Sequence, residues 1–382
     1  HCSPFTIEMF HTKMAFVQFV YNCLFKATSV REIGTFKYFR EKLNRKNVTA
    51  DKVTKSYEGS EQFLISIGIA YICEAAMEFW GLDNRNEKPT KHIPRPGMKH
   101  LPLLQKKEYF DTVIGEFVDQ FVMADPEKEA LKQQKKSQAS LTDHVCLDHD
   151  YAKEDMSQLE SDAGENDNTD RVRCYGLNVI ELVVFLMQMI DTCAEGDGER
   201  NDINIKRLLL YFKSYGTFSK YAIEMFTSIA QKKVLLSEEM SHRLRWGRFV
   251  NWVGGKGRNI ECDAAQEICN RTSKNVVKGM GANKTPKAII RASKSAAGVQ
   301  HIVAKFDSNA HIHSQSSRHT TRSSDEDESI IIRDLRKLRP FRIVPQRSHA
   351  SFKKIEVSPL AGIDMQNFFT WLEKQKKNIA MG

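Results

Sequence analysis

Three stretches of this chain are apolar almost throughout, and they limit what it can become. Residues 5–25 are rich in aromatic and aliphatic side chains, residues 62–80 read QFLISIGIAYICEAAMEFW and run into Gly81, and residues 177–190 read LNVIELVVFLMQMI. The run 177–190 falls short of the roughly 20 residues of a membrane span and carries Asn178, Glu181 and Gln188. A buried helix is the state that satisfies both its backbone and its side chains, and the other two stretches read the same way. Gly81 supplies a helix stop, because only glycine enters the left-handed region freely. No membrane is expected as a partner.

The chain has 382 residues, enough for two or three structural units at about 150 residues each. Hydrophobic residues at 41% and charged residues at 27% are globular proportions and exclude a collagenous, wholly disordered or disulfide-dense chain. Eight cysteines without a C-x-x-C pair point to reduced thiols, and so to an intracellular setting, the nucleus included, not to a disulfide framework or a zinc site. The chain opens on His1-Cys2-Ser3-Pro4 with no signal peptide, and reads as a fragment of something longer.

Helical patterning dominates the remainder. Apolar residues at 110, 113, 114, 117, 118, 121 and 122 predict an amphipathic helix over 108–123, closed by Pro126. Further helices are expected near 203–214, 218–234, 238–247, 261–279 and 286–306. The last has Thr285 as N-cap and Pro286 at its first position. Acids at 325–328 open another helix, and 365–377 makes a terminal one. Phe341-Arg342-Ile343-Val344-Pro345 is the clearest short strand. The fold class is therefore mainly α, a multi-helix bundle with a few short strands.

Charge is distributed unevenly. Fifty-seven Lys and Arg against 48 Asp and Glu give a net +9, yet residues 141–170 hold ten acids and one base. Residues 157–170 have too few apolar side chains to offset the entropy of ordering and read as a disordered linker. This predicts an N-terminal helical region over 1–125, an acidic disordered insert over 126–172, and a C-terminal helical region over 173–382 that carries a basic surface and the short strand. Outside the acidic stretch the chain is twice as basic as its total suggests.

The candidate chemistry lies between 256 and 294. Asp263 and Glu267, four apart on a helix, place two carboxylates on one face and are the candidate catalytic and metal-binding residues, for Mg2+ or Mn2+. A two-metal phosphoryl-transfer site needs more carboxylates than these. The same stripe, continued by Arg271, Lys274 and Lys278, also complements the helix dipole and allows an i,i+4 Glu267–Arg271 pair. Nine bases (Lys256, Arg258, Arg271, Lys274, Lys278, Lys284, Lys287, Arg291 and Lys294) face three acids (Glu261, Asp263 and Glu267), a pattern suited to nucleic-acid phosphates. Gly279-Met280-Gly281-Ala282-Asn283-Lys284-Thr285 has Asn where a P-loop needs its last Gly and follows a helix, so it reads as a connector, as does Gly254–Gly257. His311, His313 and His319, and Cys146 to Asp150, lack a familiar ligand spacing and read as solvated loop.

Several longer motifs resemble a known family. Phe10-His11-Thr12-Lys13-Met14, residues 40–49 (REKLNRKNVT), 195–200 (EGDGER), 246–251 (WGRFVN), 257–271 and 279–287 are similar to the eukaryotic family of unknown function numbered 6589. The likeness covers nearly the whole chain outside the acidic insert. It implies a mobile-element origin, an ancestry in RNase H-like transposases with this chain as a truncated core carrying a helical insertion, and Arg258, Asn259, Asn270 and Arg271 flanking the Asp263/Glu267 motif. Family members carry an upstream Gly-Asp-Gln segment and an acid directly before Phe-His, where this chain has Met9 after Glu8. Were those acids metal ligands, this polypeptide would lack part of the set. The expected function is DNA binding through a basic helical surface, as the remnant of a metal-dependent transposase or nuclease. The alternative is a helical protein-interaction module with no nucleic-acid role.

Overall fold

A computed structural model of the chain describes residues 6–144 and 168–381 apart from 85, 95, 215, 283 and 311–323. In chain order its helices are α1 (Met9–Leu24), α2 (Phe36–Lys42), α3 (Tyr57–Trp80), α4 (Leu103–Phe121), α5 (Pro126–His144), α6 (Arg171–Glu195), α7 (Gly198–Ser214), α8 (Ser219–Ala230), α9 (Glu238–Trp246), α10 (Cys262–Gly279), α11 (Pro286–Asn309), α12 (Ser324–Leu338) and α13 (Met365–Met381). Among the described residues the sheet is one antiparallel pair, β1 (Phe249–Val250) and β2 (Ile260–Glu261), with Phe249 opposite Glu261 and Val250 opposite Ile260. The protein is mainly α, as the periodicity predicts. A two-stranded ribbon gives no support to the mixed sheet of an RNase H-like core.

The chain divides into two compact units, residues 1–16 with 188–323 and 374–382, and residues 17–187 with 324–373. This division does not follow the linear scheme of 1–125, 126–172 and 173–382, because each unit gathers distant segments.

The second unit contains the 62–80 stretch and most of 177–190, while the 5–25 stretch is divided between the units after Phe16. Phe63, Leu64, Ile67, Ala70 and Tyr71 of α3 and Val179, Ile180, Leu182, Val183 and Phe185 of α6 are buried. The helical stretches Val53–Trp80 and Arg171–Glu195 are long and apolar enough to cross a membrane, but most of each is buried inside the protein, as in a core helix. Gly81, at φ 64°, ends α3, and the amide of Leu82 returns to the Met77 carbonyl at 2.8 Å. Gly68 lets α3 approach α6, since a Cβ there would stand 2.2 Å from Val183 Cγ1. Gly68→Ala is expected to cost about 2 kcal/mol by overpacking, read as a lower urea midpoint with an unchanged slope.

Pro126 opens a helix instead of closing one. It is the first residue of α5, with Asp125 accepting from the Glu127 amide at 2.9 Å, and proline suits that position because its missing N–H would have no partner there. The flanks of the acidic stretch are packed, while residues 145–167 lie outside the described ones. Glu129 is 1% exposed and takes two hydrogen bonds from the equally buried Arg173, at 2.7 and 3.1 Å. Asp170 is fully buried. It caps α6 through the Arg173 amide (3.0 Å) and accepts from Arg347 (2.8 and 2.9 Å) and the Val344 amide (3.1 Å).

That last bond explains why 341–345 is no strand. The Val344 amide is taken by a side chain, and Phe341 is pinned edge-on between Tyr71 and Phe121, so the segment follows the core instead of a ladder. Nearby, His349 is 6% exposed, with Glu32 Oε2 3.1 Å from its Nδ1 and the Phe352 amide donating to the same nitrogen at 3.3 Å. Burial pulls the imidazole below its ordinary value, against the attraction of Glu32. The unfolded chain therefore takes up this proton first as pH falls, and stability should drop on acidification through the ordinary imidazole range. Urea midpoints for wild type and His349→Gln at about pH 7.5 and 5.5 check this, with the smaller acid loss expected in the variant.

Candidate nucleic-acid interface

In the first unit the motifs at 10–14, 195–200, 246–251 and 257–271 come together. Helix α1 begins at Met9, and its first amides have no acceptor within the helix. Asp263, from the first turn of α10, supplies one: its carboxylate accepts from the amides of Phe10 (3.1 Å) and His11 (3.0 Å), with His11 Nδ1 2.8 Å from Oδ2. Asp263 is 7% exposed and lies at the N-terminal end of two helices, where both dipoles favour an anion. One turn further into α1, the buried Lys13 pairs with the buried Glu261 of β2.

The β1–β2 hairpin stands on this base. Asn259 donates its backbone and side-chain N–H groups to the Ala194 carbonyl at the end of α6, at 3.0 and 2.8 Å, and the amide of Cys262 returns to Arg248 O at 3.1 Å. Asn251 shapes the tip by accepting from the Gly254 amide (2.6 Å) and donating to Gly255 O (2.8 Å). Gly254 and Gly255 take φ of 78° and 88°, which a side chain would strain. The tip presents Trp252 and Val253, which are 55% and 76% exposed, with Lys256 and Arg258 in solvent beside them.

Beneath the hairpin Arg248 is buried. Desolvation pulls its guanidinium below the ordinary value against the charges of Glu8 and Asp263, and its Nη2 has no hydrogen-bond partner among the described residues. Burial raises the thiols of Cys262 and Cys193, the latter further raised by Glu261. Thiols held protonated in this way are poor nucleophiles.

All nine predicted cations are exposed: Lys256 and Arg258 on the hairpin, Arg271, Lys274 and Lys278 on α10, Lys284 in the connector, and Lys287, Arg291 and Lys294 on α11. Lys256 lies 3.8 Å from Glu195, and the other eight form no ion pair among the described residues. Thr285 caps α11 through the Ala288 amide at 3.3 Å, as its position suggests.

Asp263 and Glu267 part company. Asp263 faces α1, whereas Glu267 is exposed, accepts from Asn270 at 3.5 Å and makes no pair with Arg271. Among the described residues no group of three His, Cys, Asp or Glu side chains is placed to hold a metal. The two carboxylates thus do not converge as the i,i+4 spacing suggests: Asp263 is turned onto the start of α1 and Glu267 into solvent. His311, His313, His319 and Cys146 to Asp150 lie outside the described residues. Reasoning from sequence missed Trp252, although an aromatic beside paired glycines (Asn251-Trp252-Val253-Gly254-Gly255) is a readable sign of a turn tip.

A family of unknown function, DUF6589, matches residues 2–319, and the chain belongs to it. The match takes in α1 to α11 and stops before α12. Comparison with curated proteins and with solved structures gives no match.

Proposed function

We propose that the protein binds nucleic acid through the exposed cations of the β1–β2 hairpin and the α10–α11 helices. One observation carries this reading. Of the three acids interspersed with the nine bases, Glu261 is turned inward onto Lys13 and Asp263 onto the start of α1, so Glu267 alone is left on the surface. The sequence over 256–294 has three acids; the surface it makes has one. Cations without acidic neighbours keep their charge for phosphate oxygens, and binding of this kind releases counterions and depends little on base sequence.

The proposal is of binding, not of strand cleavage at Asp263, whose carboxylate is engaged in holding α1. The test is fluorescence anisotropy with a random-sequence duplex across a salt series. Affinity should fall linearly with salt on logarithmic axes, and absence of binding at low salt would overturn the reading.

The competing reading, a protein-interaction module, is favoured by the second half of α11, where Val299, Ile302, Val303 and Phe306 are each at least half exposed. Exposed apolar clusters of this kind mark partner surfaces. Ile302→Gln with Phe306→Gln, which adds no charge, should leave duplex binding intact if the phosphate-facing cations act alone.

A further inference from the structure

The second unit contains a cavity of about 830 Å3 lined by α3, α4 and α5 side chains, by the 91–92 loop and by the end of α12 with the segment after it. Its volume is that of a small-molecule site. Buried Phe79 and Phe341 contribute to the lining, and the His92 ring stacks on Phe79 at 3.8 Å and 11°. The rest of the lining mixes apolar residues such as Leu338, Ile343 and Val344 with six Lys and Arg side chains, against one carboxylate, Glu78.

Three of those cations already have partners within the unit. Arg347 is held by buried Asp170, Arg339 by Asp83 at 2.9 Å, and Lys91 lies 3.9 Å from Glu78, the carboxylate in the lining. His92 faces Glu116 at 3.2 Å. Lys136 from α5, Lys337 from the end of α12 and Arg342 beyond it are exposed and make no ion pair among the described residues, although Lys337 lends charge to Asp334, itself paired with Lys42. Two lining residues, His92 (φ 48°) and Arg339 (φ 44°), hold left-handed backbone without being glycine, and Gln346 (φ 62°) sits between two more. Non-glycine residues persist in that region only where their surroundings fix them, as at ligand clamps.

We propose that this cavity binds a phosphorylated ligand of up to nucleotide size, with Lys136, Lys337 and Arg342 receiving its phosphates and the Phe79–His92 side forming the apolar wall. Three unpaired cations around one opening repel each other, and a multiply charged anion removes that repulsion. The site is separate from the α10–α11 surface, and its wall uses residues beyond the family match, which ends at 319.

Binding of a fluorescent ATP analogue to the full chain tests this, with inorganic pyrophosphate, adenosine and a short single-stranded oligonucleotide as competitors. Saturable binding displaced by pyrophosphate and not by adenosine is expected. Displacement by the oligonucleotide would keep the phosphate chemistry and assign its source to a nucleic-acid strand. Lys337→Glu with Arg342→Glu, both on the surface, should weaken binding at least about tenfold with an unchanged melting temperature. Lys274→Glu with Arg291→Glu, on the other surface, should leave it unchanged. Failure to bind at millimolar ligand, displacement by adenosine alone, or wild-type affinity in the Lys337/Arg342 variant would each overturn the proposal. None of these results bears on duplex binding by the first unit.

Discussion

Asp263→Ala should destabilise the protein by about 3 kcal/mol, because the Phe10 and His11 amides at the start of α1 both lose the acceptor that caps them. For a unit of this size that lowers the melting temperature by roughly 6–12 °C. The carboxylate accepts from Phe10, His11 and the His11 ring while 7% exposed, so little water stands ready to replace it. Asp263→Asn keeps one acceptor oxygen and should recover part of the loss. Glu267→Ala, on the solvent side of the same helix, should fall within about 0.5 kcal/mol of wild type. Thermal unfolding of the three variants separates a positioning role from a metal-binding pair, because two ligands of one ion would lose metal-induced stabilisation together. Duplex affinity measured well below the melting point should be the same for wild type and Asp263→Ala.

Reversing four exposed cations, one or two on each element, should have the largest effect on binding. In the variant Lys256→Glu, Arg258→Glu, Lys274→Glu and Arg291→Glu no ion pair is broken except the long Lys256–Glu195 contact on the surface, so the fold should keep its melting temperature. If all four meet phosphates, the salt slope should become shallower by roughly 3.6 logarithmic units per decade, and affinity at low salt should fall by more than about a hundredfold. An unchanged slope would remove these residues from the interface. Trp252→Ala, with the same charge, should alter affinity without altering the slope, since an aromatic contributes by stacking.

The helices were legible because their causes are local. Gly81 after an apolar run, Thr285 with Pro286, and the acids opening α12 are signals carried within a few residues, and the termini fall where they indicate. Signals of the same kind misled where a distant group intervened. Pro126 looks like a terminator until Asp125 is seen capping behind it, and 341–345 looks like a strand until Asp170 takes its amide. Asp170 and Glu129 counted as acids of a disordered insert; with Arg347 and Arg173 across from them they are buried anchors.

The candidate interface divides in the same way. Sequence alone determined the helical class, the density of bases over 256–294 and the stripe that begins at Asp263, because composition and periodicity are properties of neighbours along the chain. Only the tertiary structure decided which charges remain outside. Lys13 meets Glu261 and the start of α1 meets Asp263 across some 250 residues, and no spacing rule reaches that far. The physical reason is desolvation: a carboxylate leaves water only where fixed donors replace it, and those donors come from whatever the fold brings alongside. Burying two acids in this way left the 256–294 segment with nine exposed cations and one exposed acid, with Glu195 beside Lys256, and turned an ordinary mixed-charge helix pair into a basic surface.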